Sequence, residues 1–323
     1  MLVALTTVTY CIGDDSPAKL LLRYDQPSQQ FVLENDALYE IEQQTRQGPV
    51  KVISAIGDAR VGKSTNLNFI RHFLGVNRNQ EVQKVFKTSD SMEPCTTGVW
   101  MSVLRDSNSA GSTILIDTEG TNLGDNEITD LLSTFSVLMS SGLALFVRER
   151  LGNHNVEFLY RLSRLSEQLW TQEARSEMMF PELMVILRDA LSPPPGKTLQ
   201  QHTQDFILNE RQNYGETIEM HFPRHRIKVK DIPFVDDAKR LNDLKHFARD
   251  EYANLASSLA ADFKSFLFKK TANGANMDGK MIADLARQLK DSLNRNSWRG
   301  FSDAYLALET SLCERSYQEI VAP

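Results

Sequence analysis

Gly57, Gly62, Lys63 and Ser64 stand in the order G-x-x-x-x-G-K-S within GDARVGKST, residues 57 to 65. Glycines at these places let backbone N–H groups turn inward around phosphate oxygens. Lys63 neutralises the β and γ phosphates, and Ser64 presents its hydroxyl to Mg2+. Four constrained positions match by chance on the order of 1% of the time in a chain this long. The context is more telling than the match: the apolar run VKVISAI feeds the loop, and a helical pattern with Leu67, Ile70 and Leu74 on one face leaves it. All of Gly57, Asp58, Ala59, Arg60, Val61, Gly62, Lys63, Ser64 and Thr65 are therefore candidate nucleotide-binding residues. A nucleoside triphosphate with magnesium follows from the loop; the choice between adenine and guanine does not.

A second piece is STILIDTEG, an apolar strand delivering a carboxylate at Asp117 with Gly120 three residues on. Asp117 can hold magnesium through its water shell, and the Gly120 amide can meet the γ phosphate. Taken alone, an Asp after a strand is a turn or a helix cap; its value lies in the conjunction with the loop. Between the two lies EPCTTGVWM, where Thr96 or Thr97 can close over the γ phosphate and complete the magnesium shell, as a switch segment does.

These residues need a scaffold, and the sequence supplies one. Short apolar strand candidates recur near 50 to 56, 112 to 117, 143 to 147, 182 to 187 and 227 to 235, with helical patterns between them. Such alternation predicts an α/β fold of the P-loop type, a mostly parallel sheet with helices on both faces. KLLLRYDQPSQQFVL reads as a hairpin turning at Gln26-Pro27-Ser28 and extending the sheet edge, and SPPPGK at 192 to 197 as an exposed connection. After about Ala238 the pattern becomes helical, interrupted by the loop TANGANMDG at 271 to 279. The expected division is a nucleotide-binding domain over 1–240, hairpin included, followed by helical segments over 241–323.

Composition narrows the function classes. With 36 Lys plus Arg against 42 Asp plus Glu and a net charge of -6, the chain is not built to bind nucleic acid. Three cysteines, Cys11, Cys95 and Cys313, have no metal-ligand spacing and suit a reducing compartment, so a cytoplasmic protein is expected. The longest apolar stretch, Phe135 to Val147, is broken by Ser140, Ser141 and Gly142 and is too short to span a bilayer. No lipidation motif or signal peptide is read. Membrane association, if any, is expected to be peripheral.

ARVGKS, TTGVWM, LIDTEG, SSGLALFVRERLGNHN and LMVILRD, in that order, resemble the guanylate-binding proteins, large GTPases of the dynamin superfamily that also includes the atlastins. The resemblance runs over roughly residues 20 to 310 and extends weakly into FPRHRIKVKDIPFVDD and DFKSFLFKKTANGANMDGKMIADL. It implies a GTPase domain that reads guanine through an Arg-Asp pair, here Arg188 and Asp189, in place of Asn-Lys-x-Asp. A carboxylate there accepts from guanine N1–H and N2–H2, donors that adenine does not pair in this way. The resemblance further implies that Arg60 is an arginine finger in cis, reaching the phosphates when two G domains pair as a homodimer. Such fingers contribute on the order of 10³ to 10⁵ in rate. It makes Thr96 the switch threonine on magnesium and Glu119 the acidic residue that organises attacking water through neighbours. Thr118, Glu119, Gly120 and Thr121 would line the γ phosphate. Phe86 with Thr88, Ser89 and Asp90 corresponds to the loop covering base and ribose.

The implied catalytic set is thus Arg60, Lys63, Thr96 and Glu119, with Ser64, Thr96 and Asp117 toward magnesium and GTP/GDP as ligand. Four departures bear on it. Pro94 stands where the family carries a serine near the catalytic water, and proline has neither hydroxyl nor N–H, so slow hydrolysis is expected. The segment leading to Thr96 is several residues longer than usual. VDDAKR lacks the family's late Arg-Pro, and the helical region is shorter than the family's. The alternative reading is a GTP-dependent scaffold that hydrolyses weakly or not at all; an ATPase with the same loop requires Arg188 and Asp189 to be unrelated to the base.

Overall fold

The computed structural model describes residues 16–45, 48–75, 82–88, 98–105, 111–118, 127–169, 180–209, 212–233, 251–271 and 274–295. Eight strands form one sheet: β1 (Lys19–Asp25), β2 (Gln30–Leu33), β3 (Val50–Gly57), β4 (Val99–Arg105), β5 (Ser112–Thr118), β6 (Gly142–Arg148), β7 (Glu182–Arg188) and β8 (Ile227–Ile232). The spatial order is β2-β1-β4-β5-β3-β6-β7-β8. The five strands from β5 to β8 run parallel, and β4, β1 and β2 add to the β5 side as antiparallel partners. All five expected strands are present, and the hairpin forms the sheet edge. The last expected strand ends at Ile232, short of the anticipated 235.

The helices are α1 (Asn35–Gln44), α2 (Lys63–Leu74), α3 (Glu127–Met139), α4 (Asn153–Leu169), α5 (Leu199–Asn209), α6 (Gln212–His221), α7 (Glu251–Ser265) and α8 (Gly279–Asn294). They cover both faces, and the strands show why. Along β6, Leu143, Leu145 and Val147 join a cluster with α4, α5 and α6, while Ala144 and Phe146 join the opposite cluster with α2 and α7. β7 divides in the same way, with Leu183, Val185 and Leu187 against Met184 and Ile186. A strand apolar at every position must be covered twice, which is the situation of a parallel strand between helices.

α7 and α8 are built into this arrangement. Leu259, Ala260 and Phe263 of α7 pack with α2 against the sheet, and Ile282, Leu285, Ala286 and Leu289 of α8 share a cluster with β1, β4, β5, α1 and α3. Between them the chain returns to the start of β3: Lys269 N donates to Val50 O (2.8 Å), and Val50 N donates to Met277 O (2.9 Å). Lys269 itself is 1% exposed, and its ammonium donates to Ser140 O at 2.7 Å. Burial alone pushes it down from 10.5 to about 7.

Both outer edges of the sheet end in side chains. On β2, Phe31 N donates to Asn294 Oδ1 (2.7 Å) and Asn294 Nδ2 donates back to Phe31 O (3.0 Å). On β8, Val229 N donates to Gln200 Oε1 (2.8 Å), and Gln200 Nε2 donates to Ile227 O (2.5 Å). Each carboxamide presents one N–H and its C=O to the strand in the geometry of a peptide group, so at that point it pairs with the edge as another strand would.

Candidate nucleotide site

The phosphate loop occupies the turn between β3 and α2, and its glycines are fixed by contact as well as by torsion. Gly57 has φ +126°, and a Cβ there would lie 2.0 Å from Phe146 O on β6. Gly62 has φ +89° at the N-cap of α2, in the left-handed region. No side chain caps that helix end and its first turn has no acidic residue, so its amide groups face outward as an anion site.

Lys63 is buried, and its ammonium bridges the loop by donating to Gly57 O (3.1 Å) and Asp58 O (2.8 Å). Asp58 turns its carboxylate away toward His154 Nε2 of α4, 3.3 Å distant. Val61 packs into the core beside Leu67, and Ala59 and Thr65 are part-buried. Arg60 is exposed, with φ +63°. For a residue with a Cβ this torsion costs about 1–2 kcal/mol, so something must hold it.

Beside the loop, β5 brings Asp117 into register with Ala55 of β3. Ser64 Oγ donates to Asp117 Oδ2 at 2.5 Å. Asp117 is 1% exposed, and among the described residues its Oδ1 has no hydrogen-bond partner. Burial raises its carboxyl from 3.8 to about 6, against the opposing pull of Lys63 and the Ser64 hydroxyl. A hydroxyl and a buried carboxylate with one oxygen unused form an all-oxygen donor set that suits a hard divalent cation such as Mg2+. Thr118 turns its hydroxyl to Ala55 O (2.9 Å) and is buried, so it ties β5 to β3.

The third contribution comes from the ends of β6, β7 and β8. Arg188, the last residue of β7, donates from Nη1 to Arg60 O at 2.7 Å. A hydrogen bond from a charged donor contributes about 1.5–3 kcal/mol, enough to offset the left-handed torsion it anchors. Asp189 follows with φ +57° and an exposed side chain; its N–H donates to Ile232 O (3.0 Å). Ala190 N donates to Asp231 Oδ1 (3.1 Å), and Glu149 N to Arg188 O (2.7 Å). Glu149, at the end of β6, has φ +60°. Three left-handed non-glycine residues thus stand at the C-terminal ends of three adjacent parallel strands, where open α/β sheets bind their ligands.

The structure brings together Gly57 to Thr65, Asp117 and Arg188. Phe86, at the start of the loop expected toward base and ribose, is 1% exposed and lies in the core with Ile70 and Leu115. The cause is Asn68 of α2, whose carboxamide accepts from Phe86 N (2.8 Å) and donates to Phe86 O (2.9 Å). Thr88, two residues on, is part-buried. Ser89, Asp90, Pro94, Thr96, Glu119, Gly120 and Thr121 lie outside the described residues. Asn68, His154 and Glu149 escaped the sequence reading, because each acts through a neighbour distant in sequence.

Fold and loop define a P-loop nucleotide-binding domain. A family model described as "Guanylate-binding protein, N-terminal domain" matches residues 28–254, and the chain belongs to this family. It is 22% identical over 306 residues to guanylate-binding protein 3 of Homo sapiens, covering 85% of this chain and 50% of that protein. It is 23% identical over 296 residues to atlastin-3 of Homo sapiens, covering 85% of this chain and 49% of that protein. The chain spans about half the length of these curated relatives. Among the described residues no helix is long and apolar enough to cross a membrane.

Proposed function

We propose that this chain binds GTP with Mg2+ and hydrolyses it to release phosphate. The observation that carries the reading is the Ser64–Asp117 pair set beside the Lys63 loop, with Asp189 exposed at the end of a neighbouring strand. Family membership supplies the base, since guanylate-binding protein 3 is named for guanylate binding. Lys63 and the α2 amides bind the β and γ phosphates; Ser64, Asp117 and, from the switch segment, Thr96 would hold the cation. Magnesium, when bound, neutralises charge on the phosphate oxygens.

In this reading Asp189 accepts from guanine, Thr88 to Asp90 lie toward base and ribose, and Thr118 to Thr121 border the γ phosphate. Glu119 organises the attacking water. Arg60 is the finger in cis, brought onto the phosphates when two G domains pair as a homodimer. The nucleotide-binding domain spans 1–240 with helical segments beyond it, and the protein works in the cytoplasm, at most peripheral to membranes.

GTP turnover per molecule, measured across protein concentrations, tests this: turnover rises with concentration and ATP is not used. No turnover at any concentration, or equal use of ATP, sinks it. Pro94 favours a second reading, a scaffold that binds GTP and scarcely hydrolyses it. Arg60→Ala discriminates the two: turnover unchanged with nucleotide binding intact supports the scaffold.

A further inference from the structure

Arg188 and Asp189 read as one base-recognition unit in the sequence, yet they face different neighbours in the fold. Asp189 is exposed at the end of β7, its N–H anchored on Ile232 O. Arg188 reaches the other way, from β7 across to the phosphate loop, and donates to the carbonyl of Arg60 at 2.7 Å. Its own backbone is anchored too, since Arg188 O accepts from Glu149 N at 2.7 Å and β7 is paired with β6 and β8 on either side.

The carbonyl it holds belongs to the residue whose side chain is the candidate finger. Arg60 has φ +63° and Gly62 φ +89°, so the peptide between Arg60 and Val61 sits in a turn of two left-handed residues. Fixing that peptide plane fixes the direction in which the Arg60 side chain leaves the loop. Meanwhile the neighbouring residue, Asp189, meets the base.

Resting on the reading above, we infer that Arg188 is a positioning residue for Arg60. It holds the peptide from which the Arg60 side chain leaves the loop, and base selection belongs to Asp189 alone.

The test uses the whole chain and five variants: Arg188→Gln, Arg188→Lys, Asp189→Asn, Arg60→Ala and the Arg60→Ala/Arg188→Gln double. The measurements are kcat and KM for GTP and for xanthosine triphosphate, affinity for a fluorescent GDP analogue, and thermal melts. Asp189→Asn exchanges an acceptor for a donor and shifts preference toward xanthine. Arg188→Gln lowers kcat by about tenfold or more, leaves GDP affinity within about threefold, and keeps the preference for GTP, the pattern of an interaction made in the transition state. Arg188→Lys, which retains a cationic donor, recovers part of the loss. In the Arg60→Ala background Arg188→Gln has no further effect on kcat, because residues acting as one unit are non-additive.

Loss of the GTP preference in Arg188→Gln overturns the inference, as do equal losses of kcat and GDP affinity, or effects that multiply in the double variant. Should the Gln variant melt below the assay temperature, Arg188→Lys decides by the same split of kcat from affinity. A wild-type chain that binds no GTP removes the functional reading itself. A wild-type chain that turns over GTP while the two arginines act independently removes only the coupling.

Discussion

Ser64 Oγ donates to Asp117 Oδ2 across 2.5 Å, joining the first turn of α2 to the end of β5. The pair is prebuilt, since Asp117 is enclosed and its second oxygen is unused among the described residues. Magnesium should therefore strengthen binding of a fluorescent GTP analogue through these two groups. Ser64→Ala is expected to abolish the difference between Mg2+ and EDTA, and Asp117→Asn to weaken Mg2+-dependent affinity roughly 10- to 100-fold, as outer-shell ligand partners do. Unaltered metal dependence in both variants would place the cation elsewhere.

Asn68 carries a loop that the sequence assigns to the ligand. Its carboxamide makes both a donor and an acceptor bond to the Phe86 backbone inside the core. Replacing it by Leu leaves a buried N–H and a buried C=O without partners, at about 1–3 kcal/mol each. Urea denaturation should show Asn68→Leu destabilised by roughly 2–6 kcal/mol, with hydrogen exchange fastest at Val85 to Lys87. A variant as stable as wild type, with Phe86 still protected, would refute this anchoring.

Lys269 gives stability a pH dependence with a definite sign. Its folded value, about 7, lies below the 10.5 of the unfolded chain, so between these limits the unfolded state binds more protons. Its contribution is therefore complete above 10.5 and is lost as pH falls toward 7. Lys269→Met removes the titration. Subtracting the two urea stabilities at each pH cancels the other groups. Wild type should gain on the variant by up to about 1.4 kcal/mol per pH unit between pH 7.5 and 9.5. A difference that stays flat over that range contradicts the buried ammonium.

Gln200 closes the β8 edge, and truncating it reopens a polar strip. For Gln200→Ala we expect a loss of about 1 kcal/mol together with self-association detectable by sedimentation velocity, since unpaired strand edges template pairing. A strictly unchanged sedimentation profile at high concentration would show that the edge is protected by other means.

The strands were legible because a parallel strand covered on both faces must be apolar throughout, and VKVISAI or GLALFV permits little else. The phosphate loop was legible because its glycines answer to torsions and contacts that no other residue tolerates, as Phe146 O beneath Gly57 illustrates. α1 was not, because NDALYEIEQQ mixes its buried Ala37, Leu38 and Ile41 with a buried Glu40 that ion-pairs with Lys19. β4 was read only as the tail of a switch motif. The burial of Phe86 was not legible because it depends on Asn68, eighteen residues earlier. Nothing in FKKT marks Lys269 as buried; its burial depends on pairing with Val50, more than two hundred residues earlier. The Arg188–Arg60 contact belongs to the same class, set by topology and invisible to spacing.

The carboxamide contacts on β2 and β8 bear on how copies of this chain can meet. A sheet with open ends recruits by repetition, each newcomer presenting the same invitation to the next, and such growth has no natural stopping point. Asn294 takes up the N–H and C=O of Phe31 at one end, and Gln200 takes up Ile227 O and Val229 N at the other, so a newcomer meets fewer open groups there. The pairing proposed above, through the loop face that carries Arg60, would differ in kind, because a two-fold contact uses the same patch on both molecules and closes on itself. Carboxamides at opposite borders of the sheet thus each withdraw one stretch of edge from open-ended growth.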